Sequence, residues 1–151
     1  MKDQLEITRT NRKLLAKIMD NFSLEDLNKV PEGFNNNLIW NIAHVVVTQQ
    51  LLTYNLSGLP MMIDDEMIAK YRKGTKTEGL VSKEEVEKVK ELLFATIDKT
   101  EKDIDGSIFQ GYQEYPTSTG FVLKSVEDAI NFNNFHEGIH LGYILGLKKS
   151  L

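Results

Sequence analysis

The chain contains three histidines, and two of them stand four residues apart in the run His136-Glu137-Gly138-Ile139-His140. On an α-helix that spacing stacks both imidazoles on one face, the way a helix offers two nitrogens to a single metal ion. The third, His44, lies in the middle of an apolar helical stretch from Asn35 to Ser57. Three neutral imidazoles leave one position of a tetrahedral shell open, where Zn²⁺ holds a water or a substrate atom and lowers its pKa toward roughly 7. The sequence has no cysteine, so disulfides and thiolate ligands are excluded. A structural site would need closing by an Asp, a Glu or a further helix face, and no such residue stands out. An open shell therefore points to chemistry or ligand capture.

Helical spacing also nominates helpers. Asn41 precedes His44 by three residues and Asn133 precedes His136 by three, so either amide can orient an imidazole or touch a substrate. Glu137 completes a His-Glu-x-x-His run, which in zinc peptidases supplies a general base. Those enzymes take a third ligand from downstream, yet none of the residues after His140 is His, Asp or Glu, and Gly146 occupies the third-histidine position of the extended metzincin motif. Glu137 is left with three readings: base, partner orienting an imidazole, or plain surface acid. The bland alternative for the histidines is that His44 is a hydrogen-bonded core residue and the pair is a surface feature. It weakens because both histidine-bearing helices are strongly apolar, and buried imidazoles need partners. One shared metal satisfies all three.

Four helical segments must position these residues. In the first, about Asp3 to Phe22, Leu14, Leu15, Ile18, Met19 and Phe22 follow a buried stripe while Arg9, Arg12, Lys13 and Lys17 stay in water. Ser23 to Asp26 offers an N-cap for a short turn ended by Pro31 and Gly33. The second long helix leaves little of its circumference polar, so it is either central or buried again against another subunit. That second option is the basis for expecting a homodimer. The third opens at a capping box, Ser82 to Glu85, and carries a narrow stripe of Val86, Val89, Leu93, Ile97 and Ile104. The fourth runs from Lys124 or Ser125 to about Leu147 and counts Ile139 and Tyr143 among its apolar positions.

Together these describe one all-α domain over residues 1–151, a four-helix bundle, the architecture that builds metal sites from side chains on facing helices. The link from Gly58 to Val81 is long enough to cross a bundle, which admits parallel second and third helices, and Asp64 to Tyr71 within it reads as a short helix. The aromatic-rich loop from Asp105 to Leu123 either covers a pocket mouth or plugs one end of the bundle.

Composition narrows the partners. At 151 residues and 41% hydrophobic content the chain can bury a core unaided. A net charge of -4 with interspersed lysines and arginines lacks the footprint of a phosphate-backbone binder, so nucleic acid is not expected. Met1 to Lys13 is polar where a secretory signal needs an apolar core, and no stretch approaches the roughly 18 apolar residues of a membrane span. No membrane association is expected, and the expected location is cytoplasmic.

The segments Asn37-Leu38-Ile39-Trp40-Asn41-Ile42-Ala43-His44 and His136-Glu137-Gly138-Ile139-His140-Leu141-Gly142 resemble the DinB-like superfamily, which includes the YfiT-like metal-dependent hydrolases. The resemblance covers nearly the whole chain. It implies an up-down-down-up four-helix bundle, often dimeric, with Zn²⁺ or Ni²⁺ on three histidines matching His44, His136 and His140. Relatives implied by it include S-transferases of low-molecular-weight thiols and a mycothiol-dependent maleylpyruvate isomerase. The expectation is a metal-dependent enzyme activating a thiol or water on a small-molecule substrate, with His44, His136 and His140 as ligands and Asn41, Asn133 and Glu137 as helpers. The competing expectation is a non-catalytic helical dimer whose metal site is structural or vestigial and which serves as a ligand-binding or interaction protein.

Overall fold

Short polar side chains start the helices. Ser23, Asn37, Asp64, Ser82 and Ser125 each accept a hydrogen bond from a backbone N–H three residues on, satisfying a donor that the first helical turn leaves unpaired. In this computed structural model, which describes residues 1–151, they open α2 (Leu24–Asn28), α3 (Leu38–Thr53), α4 (Asp65–Tyr71), α5 (Lys83–Asp105) and α6 (Val126–Leu147). Before these comes α1 (Lys2–Asn21). The chain at 105–123, expected as a loop, ends in a two-stranded antiparallel hairpin, β1 (Tyr115–Pro116) with β2 (Val122–Leu123).

Side-chain pairs fix the directions of the long helices. Thr8 meets Asn134 and Arg12 meets Glu137, so α1 and α6 run parallel. Arg9 meets Asp98 and Lys2 meets Asp105, so α5 opposes α1. Asn41 meets His140 while His44 meets His136, so α3 opposes α6. The order is up, down, down, up. The 58–81 link spans the length between the two parallel inner helices, as its length admitted, with α4 lying on α3.

Helix α3 is the centre. Of its 16 residues only Thr48 and Leu51 are not buried, because it packs against α2, α4, α5 and α6 together. Its all-round apolarity is thus met inside one chain and creates no demand for a second subunit. The helix is shorter than the expected 35–57, stopping at Thr53 before a 3₁₀ turn that Gly58 closes with φ +68°. Expectations for α1 need correction: Leu14 is 46% exposed and Arg12 is fully buried. The stripe runs through Leu5, Thr8, Arg12, Leu15 and Met19, so position 12 lies squarely on the inner face. In α6, Ile139 and Tyr143 are also exposed, whereas Ala129, Ile130, Ile144 and Leu147 reach the core. No helix is long and apolar enough to cross a membrane.

Candidate metal centre

The antiparallel crossing of α3 and α6 brings the three histidines together. Their candidate ligand nitrogens all lie within 4.8 Å of one another, and His44 Nε2 is 3.2 Å from His136 Nε2. A tetrahedral ion with bonds of about 2.0–2.1 Å holds neighbouring nitrogens about 3.3 Å apart, so the pair already stands at coordinating separation.

Hydrogen bonds on the far side of two rings settle which nitrogen faces inward. His44 Nδ1 lies 2.6 Å from the carbonyl oxygen of Tyr71 and must donate, because a carbonyl only accepts. That carbonyl ends α4 and has no partner within its own helix, so the imidazole satisfies a terminal acceptor. Asn41 donates its amide nitrogen to the Asn37 carbonyl at 2.8 Å, which turns Oδ1 toward His140 Nδ1 at 2.9 Å. His140 therefore also carries its proton on Nδ1. Both rings keep a lone pair on Nε2, the tautomer a metal ligand needs. Trp40 stacks on His44 with centroids 4.7 Å apart and planes 10° apart, and its indole N–H donates to Thr75 Oγ1. His136 Nδ1 is buried without a protein partner.

Burial and mutual repulsion keep the cluster neutral. Desolvation lowers the pKa of His44, against the opposing hydrogen bond to Tyr71. Burial lowers His136 far below its usual range, and the neighbouring His140 and His44 push it further. His140 falls to about 4, through burial first and His44 second. Neutral imidazoles unable to share a positive charge are what a cation requires. Below about pH 6.5 the unfolded chain takes up protons that the folded rings refuse, so the metal-free protein is expected to lose stability as pH falls from 6.5 toward 4. Thermal melts of chelated protein at pH 7.5, 6 and 5 check this; His140→Gln should melt with a shallower pH dependence, and an equal slope would count against it.

Asn133 and Glu137 go elsewhere. Successive helical residues are turned by about 100°, which sends Glu137 to the α1 side when His136 faces α3. There Arg12 donates to it through Nη2 at 2.7 Å and Nε at 3.0 Å, and Asn133 Nδ2 donates to the same carboxylate at 2.8 Å. The Arg12 guanidinium also reaches carbonyls of Val45 on α3 and Leu93 on α5, so one buried group touches all four long helices. Both members of the ion pair are 0% exposed. Glu137 is therefore not the surface acid that one reading made it, and neither Glu137 nor Asn133 lines the cavity beside the histidine rings. Of the three expected helpers only Asn41 touches a histidine, and it orients His140 on the opposite helix instead of His44 on its own.

Beside the rings opens a cavity of about 600 Å³. Thr48 and Leu51, the two unburied residues of α3, lie on its wall, as do Phe135, Ile139 and Tyr143, whose exposure on α6 this explains. The hairpin contributes Tyr115 and Thr117 to Thr119, so the aromatic loop does border the mouth. It also plugs an end, since Phe109 packs edge-on against Tyr54 and Tyr112 joins the cluster of Leu52, Leu123 and Ala129.

The sequence model of the DinB superfamily matches residues 7–144, from α1 through nearly all of α6. The chain belongs to the DinB superfamily. Among curated proteins, none matches it. The match encloses all three histidines of this DinB member and also Arg12, Asn41, Tyr71 and Glu137. The Tyr71 carbonyl and the Trp40 ring, which contribute to the site, were not legible as such in the sequence, and neither was the buried place of Arg12 behind it. For Arg12 a signal existed, namely its place in the 5, 8, 12, 15, 19 series.

A difference between the two asparagines tests this geometry. Outer partners that fix a ligand ring contribute about 10–100-fold to metal affinity. Asn41→Ala is expected to weaken zinc binding by that order, whereas Asn133→Ala should leave it unchanged; chelator competition measures both. Equal losses would show that the amide of Asn41 has no special hold on the ring.

Proposed function

We propose that this DinB superfamily member is a metal-dependent enzyme that holds Zn²⁺ or Ni²⁺ on His44, His136 and His140 and acts as a thiol S-transferase or hydrolase on a small molecule. The observation that carries this reading is the convergence of three neutral imidazoles, two with tautomers locked from behind, at the wall of an open cavity. A divalent ion held by His44, His136 and His140 would supply Lewis acidity, keeping a coordinated thiol as thiolate or lowering the pKa of a coordinated water toward neutrality. The chain does the rest. The Tyr71 carbonyl and Asn41 hold two rings in place, Trp40 shields one face of His44, and Leu51 and Phe132 present an apolar wall from which water is readily displaced. With no cysteine in the chain, a thiol nucleophile has to arrive as a low-molecular-weight cosubstrate.

The test is a turnover screen on zinc-loaded and nickel-loaded protein, pairing small thiols with electrophiles and, separately, offering esters and amides without thiol. Activity is expected to vanish on chelation and return with the metal. Thiol-dependent turnover assigns transfer and thiol-independent turnover assigns hydrolysis. Turnover indifferent to chelation overturns the metal-dependent reading.

A further inference from the structure

The charges around the cavity are lopsided. None of the residues lining it is acidic, and Lys73 is basic. Glu137, the acid next to His136 in sequence, is paired with Arg12 in the interior. Lys73 forms no ion pair of its own, and it follows by two residues the Tyr71 carbonyl that holds His44. A divalent ion on three neutral imidazoles would therefore sit beside a further positive charge with no protein anion to balance either. Such a site selects an anion.

The charge is also confined to one end of the cavity. The segment after α4 that carries Lys73 and Gly74 runs from His44 toward the start of α3, held by Tyr71 to His44, Thr75 to Trp40 and Thr77 to Asn36, and it shares this end of the cavity with Ile139 and Tyr143. In the other direction the wall passes Thr48 and carries Leu51, Leu52, Leu56 and Phe132, with Asn55 and the hairpin residues Thr117 to Thr119 as uncharged polar neighbours. At 1.5 Å per residue the distance along α3 from His44 to Leu52 is about 12 Å. That is room for a chain or ring system, well beyond a single small ion.

From these two asymmetries we infer that the cavity takes an amphipathic small-molecule anion, with a carboxylate or thiolate head between Lys73 and the three histidines and an apolar body along Leu51, Leu52, Leu56 and Phe132. The inference rests on the metal reading for the partner of the head group. It adds the substrate class, and it assigns Lys73 as the residue that selects for charge.

Trp40 is the chain's one tryptophan and lines the cavity, so its emission reports binding without any assay of turnover. Zinc-loaded protein is titrated with octanoate, 1-octanol and acetate, with zinc content measured on the same sample. Octanoate shares its chain with octanol and its head with acetate. It is expected to bind at least about tenfold more tightly than either, the order a few buried methylenes or one compensated charge supplies. In Lys73→Met, whose exposed position carries little folding risk, octanoate should weaken about threefold to fivefold at low salt while octanol does not change. Octanol binding as tightly as octanoate overturns the anionic head. Acetate matching octanoate overturns the apolar body, and an unchanged preference in Lys73→Met overturns the role of that lysine. A sample that retains no stoichiometric zinc instead overturns the metal reading and, with it, the partner assigned to the head.

Discussion

His44→Ala, His136→Ala and His140→Ala are each expected to abolish stoichiometric zinc binding, where the unaltered protein holds one ion per chain. The cluster supplies three nitrogens and no carboxylate or thiolate, so removing any one leaves two. A pair of imidazoles lacks the closure that makes the bound state specific. The loss should exceed the roughly 10–100-fold expected for an outer partner such as Asn41, because a ligand and not its support is gone. The folds of the variants should survive. The main core cluster of Leu15, Leu38, Ile42, Val46, Leu93 and their neighbours contains none of the three rings. Atomic emission on purified protein gives stoichiometry, and chelator competition gives affinity. The outcome that removes the site is a His44→Ala protein with the metal content of the parent, since His44 is the one candidate ligand that α3 supplies.

The sequence showed this site more clearly than its surroundings. An i,i+4 histidine pair needs only the helical period to be read, and the Ser82 and Ser125 caps fix where two of the helices begin within a residue or so. Arg12 was hidden by its own chemistry. Its spacing is that of the buried stripe, but a guanidinium is assigned to water unless its partner is known, and that partner lies 125 residues away in Glu137. Ile139 and Tyr143 failed in the opposite sense, because apolar type alone does not distinguish a core wall from a cavity wall. The Tyr71 carbonyl could not be found at all from residue types. Backbone groups are the same at every position, and only the end of α4 beside His44 leaves this one free.

The interior ion pair leads to the largest expected effect on stability. Glu137→Ala would leave the Arg12 guanidinium charged, 0% exposed and without its carboxylate, and unpairing a buried charge costs about 3–5 kcal/mol. For a domain of this size about 2–4 °C of melting midpoint accompanies each kcal/mol, so a fall on the order of 10 °C is expected. The double variant Arg12→Met with Glu137→Leu should recover most of it, because two apolar side chains remove both desolvation penalties together. The recovery will be incomplete, since Asn133 Nδ2 then has no carboxylate and its Oδ1 already lacks a partner. The double variant also separates architecture from chemistry. If the pair serves to bind the four helices, zinc affinity and metal-dependent turnover should persist in a protein with neither charge. A stable, zinc-loaded double variant that has lost turnover would instead make Glu137 part of the reaction. Glu137→Ala melting with the parent would show that the pair contributes nothing to the fold.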